Sequence, residues 1–242
     1  TNNISLDGQD IDGYSTAIQS LINPGAVGNG GTIDITTGSL SLTNGAQIAT
    51  PVLGSLNDIG GRGNGGDIII KAKDSINISG SGQISGLSSG IFAATELNAI
   101  GQAGDIILNT NNFTISNGGI VNAQTLNNSN GGNVLINTAN FEALNGGQIL
   151  TSSGFPNFPD LISGNAGNII INASNSVNLS GVDSTFDQRL AQFGSRVQNE
   201  NASSGFFANT RSNSTGLSGD ITVNTPELNV LNSAKIAVDS RG

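Results

Sequence analysis

Three carboxylates, Asp183, Asp187 and Glu200, fall close together in one stretch of the sequence. A glycosidase works with two carboxylates held about 5–9.5 Å apart across a cleft, so this stretch is where a hydrolytic pair is to be sought. Solvated acids on a surface loop explain the same residues, and we favour that explanation because a single loop does not form a cleft. We predict that the protein is not an enzyme and has no catalytic residues.

Composition limits nucleophilic and metal chemistry, because the chain contains no His and no Cys. A Ser-His-Asp or Cys-His nucleophile needs one of these residues, and the usual ligand sets of zinc are built from them. We therefore predict neither a metal site nor a cofactor.

Other acids follow glycine-rich turns, a context that also occurs in phosphate- and calcium-binding loops. In a dinucleotide-binding loop the glycines follow a strand and open a helix, whereas here they precede a strand. Calcium-binding nonapeptides repeat in tandem, whereas these turns recur only after 28 or more residues. We therefore expect the short polar side chains to bond to turn backbone or to one another in a ladder. The equivalent residues are Thr32, Asp67, Asp105, Asn133, Asn168 and Asp220.

The glycine-rich turns belong to a phrase that occurs six times and reads Gly-Asn-Gly-Gly-Asp-Ile-Ile-Ile at residues 63–70. A fixed glycine of this phrase stands at positions 31, 66, 104, 132, 167 and 219, so the spacings are 35, 38, 28, 35 and 52 residues. Periods of about this size are typical of stacked repeat architectures. We therefore predict a repeat protein.

Within each repeat, apolar residues alternate with polar ones, which places each apolar pair on one face of a strand. The first two pairs are seven residues apart in one type of repeat and eight residues apart in the repeats that begin at Gly63 and Gly164. In the second repeat the apolar pairs are Ile33/Ile35, Leu40/Leu42 and Ala46/Ile48. One turn position carries Asn in four repeats, which favours left-handed backbone angles there. These residues are Asn44, Asn117, Asn145 and Asn232.

The repeats predict an all-β fold, a parallel β-helix of about seven coils with three parallel sheets and a length of about 34 Å. Inward aliphatic side chains of successive coils should form rows, and one row should contain Ile33, Ile68, Ile106 and Ile169. Residues 1–242 form a single repeat domain, which we expect to be a fragment of a longer chain. Residues 51–62, 152–163 and 182–204 are predicted loops that leave the coils.

The insertion 182–204 differs in composition from the rest of the chain. Phe186, Leu190 and Phe193 are spaced at i, i+4 and i+7, which predicts an amphipathic helical segment, and Arg189 and Arg196 are two of only eight basic residues. We expect the Phe pair to fix this loop to the coils. The alternative is a protrusion that contacts a ligand or partner, for which Phe186, Arg189, Phe193 and Arg196 are weak binding candidates.

Charge and hydropathy exclude two classes of partner. The net charge is −9, whereas nucleic acids and anionic membranes bind clustered Lys and Arg. The sequence also has no apolar run long enough to span a membrane. We therefore predict no nucleic-acid partner and no membrane span.

The G-x-[GA]-G-[DNT]-[IV] openings, the Asn-Gly-Gly turns and the Ser-Gly-x-Phe-Ala phrases at 89–93 and 204–208 resemble a known family. The chain is similar to the repeat region of filamentous-haemagglutinin-like exoproteins of two-partner secretion, particularly those of cyanobacterial type. The resemblance covers nearly the full length, with residues 182–204 as the main departure. It implies a right-handed parallel β-helix that is exported through an outer-membrane β-barrel transporter and folds outside the cell.

Members of this family act as adhesins, as stalks of contact-dependent toxins, or as passengers of proteases and cytolysins. The resemblance therefore implies a structural or adhesive shaft at the cell surface. Its implied partners are surface glycans or the surface of a host or neighbouring cell. Two alternatives stay open: a β-helical carbohydrate-active enzyme, such as a lyase or glycosidase, and a module that binds a sugar or protein through the insertion.

Overall fold

The computed structural model describes residues 2–55, 59–154, 164–210 and 216–240. In most repeats a long strand, in which apolar and polar residues alternate, is followed by a turn and a short apolar strand. Long and short strands therefore follow one another along the chain. The elements are β1 (Asn3–Asp7), β2 (Ala17–Gln19), β3 (Ile33–Thr43), β4 (Gln47–Ala49), β5 (Ile68–Ser79), β6 (Gly90–Phe92), β7 (Ile106–Ser116), β8 (Ile120–Asn122), β9 (Val134–Leu144), β10 (Gln148–Leu150), β11 (Ile169–Ser180), α1 (Phe186–Phe193), β12 (Gly205–Phe207), β13 (Ile221–Asn224), β14 (Glu227–Leu231) and β15 (Lys235–Ala237).

The strands of the described residues form two parallel sheets. In the eight-stranded sheet β1, β3, β5, β7, β9, β11 and β13 follow one another, and β14 also pairs with β11. The seven-stranded sheet has the order β2, β4, β6, β8, β10, β12 and β15. Each repeat adds one level to both sheets, and we call such a level a rung. The predicted all-β fold with stacked parallel strands is confirmed.

The predicted separation of the first two strands is confirmed in the last repeat, where β13 and β14 are distinct, but it is wrong in the five repeats of β3, β5, β7, β9 and β11, where one strand covers both. β3 runs through Gly38, where the apolar pattern predicts a turn. The pairing shifts between Thr37 and Ser39 where β3 meets β5, and between Ala72 and Ser75 where β5 meets β7. β5 and β11, in the repeats with an eight-residue offset, have 12 residues, whereas β3, β7 and β9 have 11. β7 and β9, which are equal in length, pair without a shift. A β-bulge therefore absorbs the extra residue, and two sheets form in place of three.

The interior is built from rows of aliphatic side chains that run from rung to rung. Ile68, Ile106 and Ile169 are completely buried, and burying an Ile side chain is worth about 1.5–3 kcal/mol. The predicted row is confirmed by the strand register, and it contains Ile33, Ile68, Ile106, Val134, Ile169 and Ile221.

Aromatic side chains join the two sheets across this interior. Phe113 and Phe141 occupy equivalent positions of adjacent rungs and stack with ring centroids 5.1 Å apart. Phe206, from the seven-stranded sheet, meets the ring of Phe141 edge-on, with ring centroids 5.2 Å apart. Such pairs contribute about 0.5–1.5 kcal/mol beyond their buried area, so the middle rungs gain the most from them.

The corners of the stack depend on left-handed residues and on close backbone approach. The predicted left-handed positions are confirmed, with φ of 54° at Asn44, 53° at Asn117, 50° at Asn145 and 51° at Asn232. Glycine is needed at position 66 for a different reason, because an added Cβ there would lie 2.2 Å from the carbonyl oxygen of Gly31 in the preceding rung. A side chain at this position would push the rungs apart.

The predicted loops fall between strands, and the described ends of two of them pair within the stack, Val52 with Ile22 and Thr95, and Ser153 with Thr125 and Thr210. Those at 51–62 and 152–163 lie in part outside the described residues, at 56–58 and 155–163. The insertion 182–204 lies between β11 and β12 and contains α1, followed by a 3-10 turn at Gly194–Arg196. In the part of the chain that the structure describes, no helix has the length and hydropathy needed to cross a membrane.

Candidate binding surface

The insertion folds back onto the turns that connect the long strands to the short ones. Arg189 of α1 donates hydrogen bonds to Asp183 over 2.6 Å and to Asn199 over 3.1 Å. Asn199 donates to the backbone carbonyl of Gly118 over 3.2 Å. The side chains of Arg189 and Asp183 are only 8% and 6% exposed. The buried ion pair thus joins two residues of the insertion, and the bond from Asn199 to Gly118 connects the insertion to the rungs.

The face that α1 buries differs from the one that its apolar spacing predicts. Arg189 is the buried residue of the helix, whereas Leu190 is 44% exposed, so the predicted packing of Leu190 is wrong. Phe193 lies against Gly86, where an added Cβ would be 2.3 Å from the ring. The charge of Asp183 explains the difference, because a carboxylate buried beside the helix needs a cationic partner.

The four binding candidates of the insertion are placed very differently. Arg189 is held in the internal ion pair, and Phe186 and Phe193 are half-buried. Arg196, in the 3-10 turn, is exposed. The structure thus brings Arg189 and Phe193 onto the rungs and leaves Arg196 facing solvent.

The three carboxylates of the same segment have separate environments. Asp183 is bound by Arg189, and Asp187 is exposed in the first turn of α1, where the helix dipole favours it. The side-chain amide of Asn209 donates to Glu200 over 3.2 Å. No three acidic residues among those described are arranged to hold a metal ion.

Two carboxyl groups outside the insertion have perturbed pKa values. Burial raises the pKa of Glu96, although the backbone amide of Gly54 donates to its carboxylate over 3.0 Å. Hydrogen bonds from Thr43 and Asn44 lower the pKa of Asp7. Both carboxylates are bonded to a neighbouring loop or rung, so they act as connections within the stack.

The predicted ladder of short polar side chains is present at the glycine-rich corner. The backbone amide of Asp105 donates to Asp67 Oδ1 over 2.9 Å, and that of Asn133 donates to Asp105 Oδ1 over 2.7 Å. The series continues from Asn168 to Asn133 and from Asp220 to Asn168, over 2.9 and 2.8 Å. Each side chain thus satisfies a backbone amide of the next rung. We call these residues, with Thr32, the acidic row.

A second ladder runs beside the acidic row, three residues earlier in each repeat. Backbone amides donate to Asn29, Asn64, Asn130 and Asn165, each from the equivalent residue of the next rung, over 2.9–3.3 Å. Gln102 occupies the same row. We call these residues the amide row.

The two rows line a shallow groove of about 580 Å³ that crosses four rungs. Its lining includes Asp67 and Asp105 of the acidic row and glycines such as Gly65. Its volume falls within the range of about 300–1,000 Å³ that is usual for small-molecule sites. The remaining residues of the two rows that line it are Asn64, Gln102, Asn130, Asn133 and Asn165.

An aliphatic stripe lies on the outer face of the eight-stranded sheet, and each of its residues stands two positions after a residue of the acidic row. Its members are in register with one another, and Ile170 is 36% exposed. Alternation predicts a polar residue at this outward position, so an aliphatic residue in four successive repeats is the signal that could have identified the stripe. We call Ile69, Ile107, Leu135 and Ile170 the aliphatic stripe.

The charge of this surface is negative. Asp67 and Asp105 line the groove, and Asp34 stands at the end of the aliphatic stripe, in register with Ile69. Lys71 is a nearby cation, two residues farther along β5 than Ile69. The surface therefore favours neutral or cationic ligands over anionic ones.

Comparison with known proteins adds no assignment to this surface. No family model, no curated protein and no solved structure matches the chain.

Proposed function

We propose that the chain is a structural and adhesive shaft segment of a secreted, cell-surface exoprotein of the filamentous-haemagglutinin-like kind, and that it is not catalytic. The proposed shaft is a right-handed parallel β-helix of about seven coils. The observation that carries the proposal is the continuity of the rows: the interior row and the ladder of the acidic row pass from rung to rung along the described stack. Such a stack transmits its geometry along one axis.

The contacts of the insertion also support a structural role. Its charged residues Asp183 and Arg189 neutralise each other against the turns, so neither charge is presented to a partner. The absence of Cys means that no disulfide has to form during or after export. An outer-membrane β-barrel transporter is the partner that the family resemblance supplies for export, and cell-surface glycans are its partners for adhesion.

A carbohydrate-binding or carbohydrate-active domain is the second candidate. The groove beside the acidic row favours it, because Asp67 and Asp105 both line this groove. The two candidates differ in turnover: incubation with neutral and acidic polysaccharides should release no reducing ends if the chain is a shaft. Turnover that disappears in Asp105→Asn would refute the shaft.

Deleting one complete rung tests the shaft proposal directly. Asn29 and Asn64 are equivalent and 35 residues apart, so removing residues 29–63 joins two repeats in register. We expect this variant to keep its β-sheet circular dichroism and cooperative melting, and to be shorter by about 4.8 Å in small-angle X-ray scattering. Removing only residues 29–46 is the matched control, and it should lose β-sheet signal and melt at a lower temperature than the 29–63 deletion because it leaves half a rung. Equal loss of structure in both variants would contradict the proposal.

A further inference from the structure

The groove presents hydrogen-bonding groups that the fold itself does not use. In the described residues, Asp67 and Asp105 each accept the ladder bonds through Oδ1, and Oδ2 of each has no protein donor. Asn64 and Asn130 likewise accept through Oδ1, and their side-chain NH2 groups have no protein acceptor. Each rung of the groove therefore offers an unused donor or acceptor at its surface.

These groups form two parallel lines with a regular spacing. The amide row supplies N–H donors from Asn64, Asn130 and Asn165, and the acidic row supplies carboxylate acceptors from Asp67 and Asp105. The groove crosses four rungs, and three spacings of about 4.8 Å make it about 14 Å long. A ligand that matches it must be elongated and must carry groups that both donate and accept hydrogen bonds.

The aliphatic stripe adds an apolar side to this surface. Ile107 and Leu135 lie two residues after Asp105 and Asn133 of the acidic row, on the same outer face of the sheet. A ligand that lies along the groove can therefore place one edge on the polar rows and an apolar face on the stripe. A chain of sugars has this character, since its hydroxyl groups donate and accept and its ring faces carry C–H groups.

Charge decides which sugars fit. The groove is lined by Asp67 and Asp105, and the whole chain carries a net charge of −9. Polysaccharides that carry carboxylate or sulfate groups are repelled by such a surface. A peptide that adds as a further strand is also disfavoured, because the ladders already occupy the backbone amides of Gln102, Asp105 and Asn133.

We propose that this groove binds a neutral glycan chain that lies along the axis of the stack. The proposal rests on the shaft function above and deepens it, because it names the surface and the ligand class of adhesion. Glycan hydroxyls bond to the free amide NH2 groups and carboxylate oxygens, and ring faces pack on Ile107 and Leu135. Binding to one short groove is expected to be weak, and repeated grooves on a surface polymer raise the avidity.

Native affinity electrophoresis of the full chain tests the proposal. The net charge of −9 carries the untagged protein towards the anode. Separate gels contain the neutral polysaccharides laminarin, xyloglucan and galactomannan, the acidic polygalacturonate, or polylysine, which tests for attraction by charge alone. We expect retardation by at least one neutral polysaccharide and none by polygalacturonate. Retardation by polygalacturonate alone, or by no neutral polysaccharide, would overturn the proposal, and so would retardation only by a gel that contains polylysine.

Paired variants locate the binding site. Asn130→Asp keeps the Oδ1 acceptor of the ladder but replaces the free NH2 donor, and loss of one hydrogen bond of about 1 kcal/mol weakens binding about fivefold. Asn29→Asp is the matched control, because Asn29 has the same ladder bond but does not line the groove. Retardation that is equally strong in wild type, Asn130→Asp and Asn29→Asp would refute the groove as the site.

The stripe is tested in the same way. Ile107→Thr should weaken retardation because it removes apolar surface from the stripe. The variant should still fold, since Thr222 occupies the equivalent position at the end of this row. Ile84→Thr, at an exposed Ile outside this face, is its control. Circular dichroism of every variant excludes unfolding as the cause. If binding fails while the 29–63 deletion remains folded, the glycan proposal is wrong and the shaft proposal stands.

Discussion

Replacing Ile169 with Asp should unfold part of the stack, whereas the same replacement at Ile170 should leave it folded. Ile169 is fully buried and pairs in register with Val134 and Ile221, while Ile170 is 36% exposed and points outward. The two residues are neighbours in β11 and have the same side chain. Any difference between the variants therefore reports the direction of the side chain and not its type.

The magnitude follows from burial. At Ile169 the variant loses about 1.5–3 kcal/mol of side-chain burial, and an unpaired buried carboxylate adds about 3 kcal/mol or more. The sum is at least about 4.5 kcal/mol, which is exceptional for one substitution. At Ile170 about two thirds of the burial is lost, about 1–2 kcal/mol, and the new carboxylate remains in water. The variants should differ by about 3 kcal/mol or more.

Hydrogen exchange with mass spectrometry, together with urea unfolding, measures this difference. Because a stack is stabilised by contacts between neighbours, Ile169→Asp should remove protection from β11, β13 and β14 and leave β5 and β7 protected. Ile170→Asp should leave all of these strands protected and lower the urea midpoint slightly. Equal loss of protection in the two variants would refute the assigned inward and outward directions of the row.

Three further predictions concern the corners and loops. Arg189→Ala should lower the unfolding free energy by about 3–5 kcal/mol in urea titrations because it leaves Asp183 buried and unpaired, and an unchanged midpoint would contradict the buried ion pair. Asn145→Ala should lower the unfolding free energy by about 1–2 kcal/mol in thermal melts, because Asn145 has a left-handed φ of 50°. Asn145→Gly should melt near the wild type. Equal melting of the two variants would refute the need for a left-handed residue at this position. Burial raises the pKa of Glu96 above its ordinary value of 4.5, so its contribution to stability rises as the pH falls through the raised pKa and is complete below 4.5. Glu96→Gln should remove that part of the pH dependence of Tm, and an unaltered pH profile would contradict the burial of this carboxylate.

The rows were predictable from sequence because period-two alternation and the glycine spacing fix both the face and the rung of each residue. Ile68 and Ile106 therefore fall where the pattern places them. The left-handed turn at Asn117 was predictable for a local reason, since Asn tolerates that backbone conformation. In both cases the determining interaction lies within one repeat or between equivalent positions of two repeats.

Features that depend on contacts between unlike segments were not predictable in this way. Gly38 resembles a turn residue, yet it lies within β3 at the register shift with β5, and its backbone amide donates to the carbonyl of Asn2 in the preceding rung. Leu190 resembles the packing residue of α1, but the buried Asp183 draws Arg189 inward. The groove arises only when four rungs are stacked, so no single repeat contains it.

The ladders explain why repeats of such unequal length can share one stack. From Asp67 to Asp220, equivalent residues of the acidic row are separated by 28 to 52 residues in the sequence, yet each pair is joined by a backbone-to-side-chain hydrogen bond of 2.7–2.9 Å. The bond fixes the corner of a rung from the rung before it, and it does not depend on the length of the intervening loop. Loop closure becomes only slowly less favourable as a loop lengthens, so an insertion such as 182–204 adds surface without disturbing register. A stack with these corners can vary its loops and keep its groove.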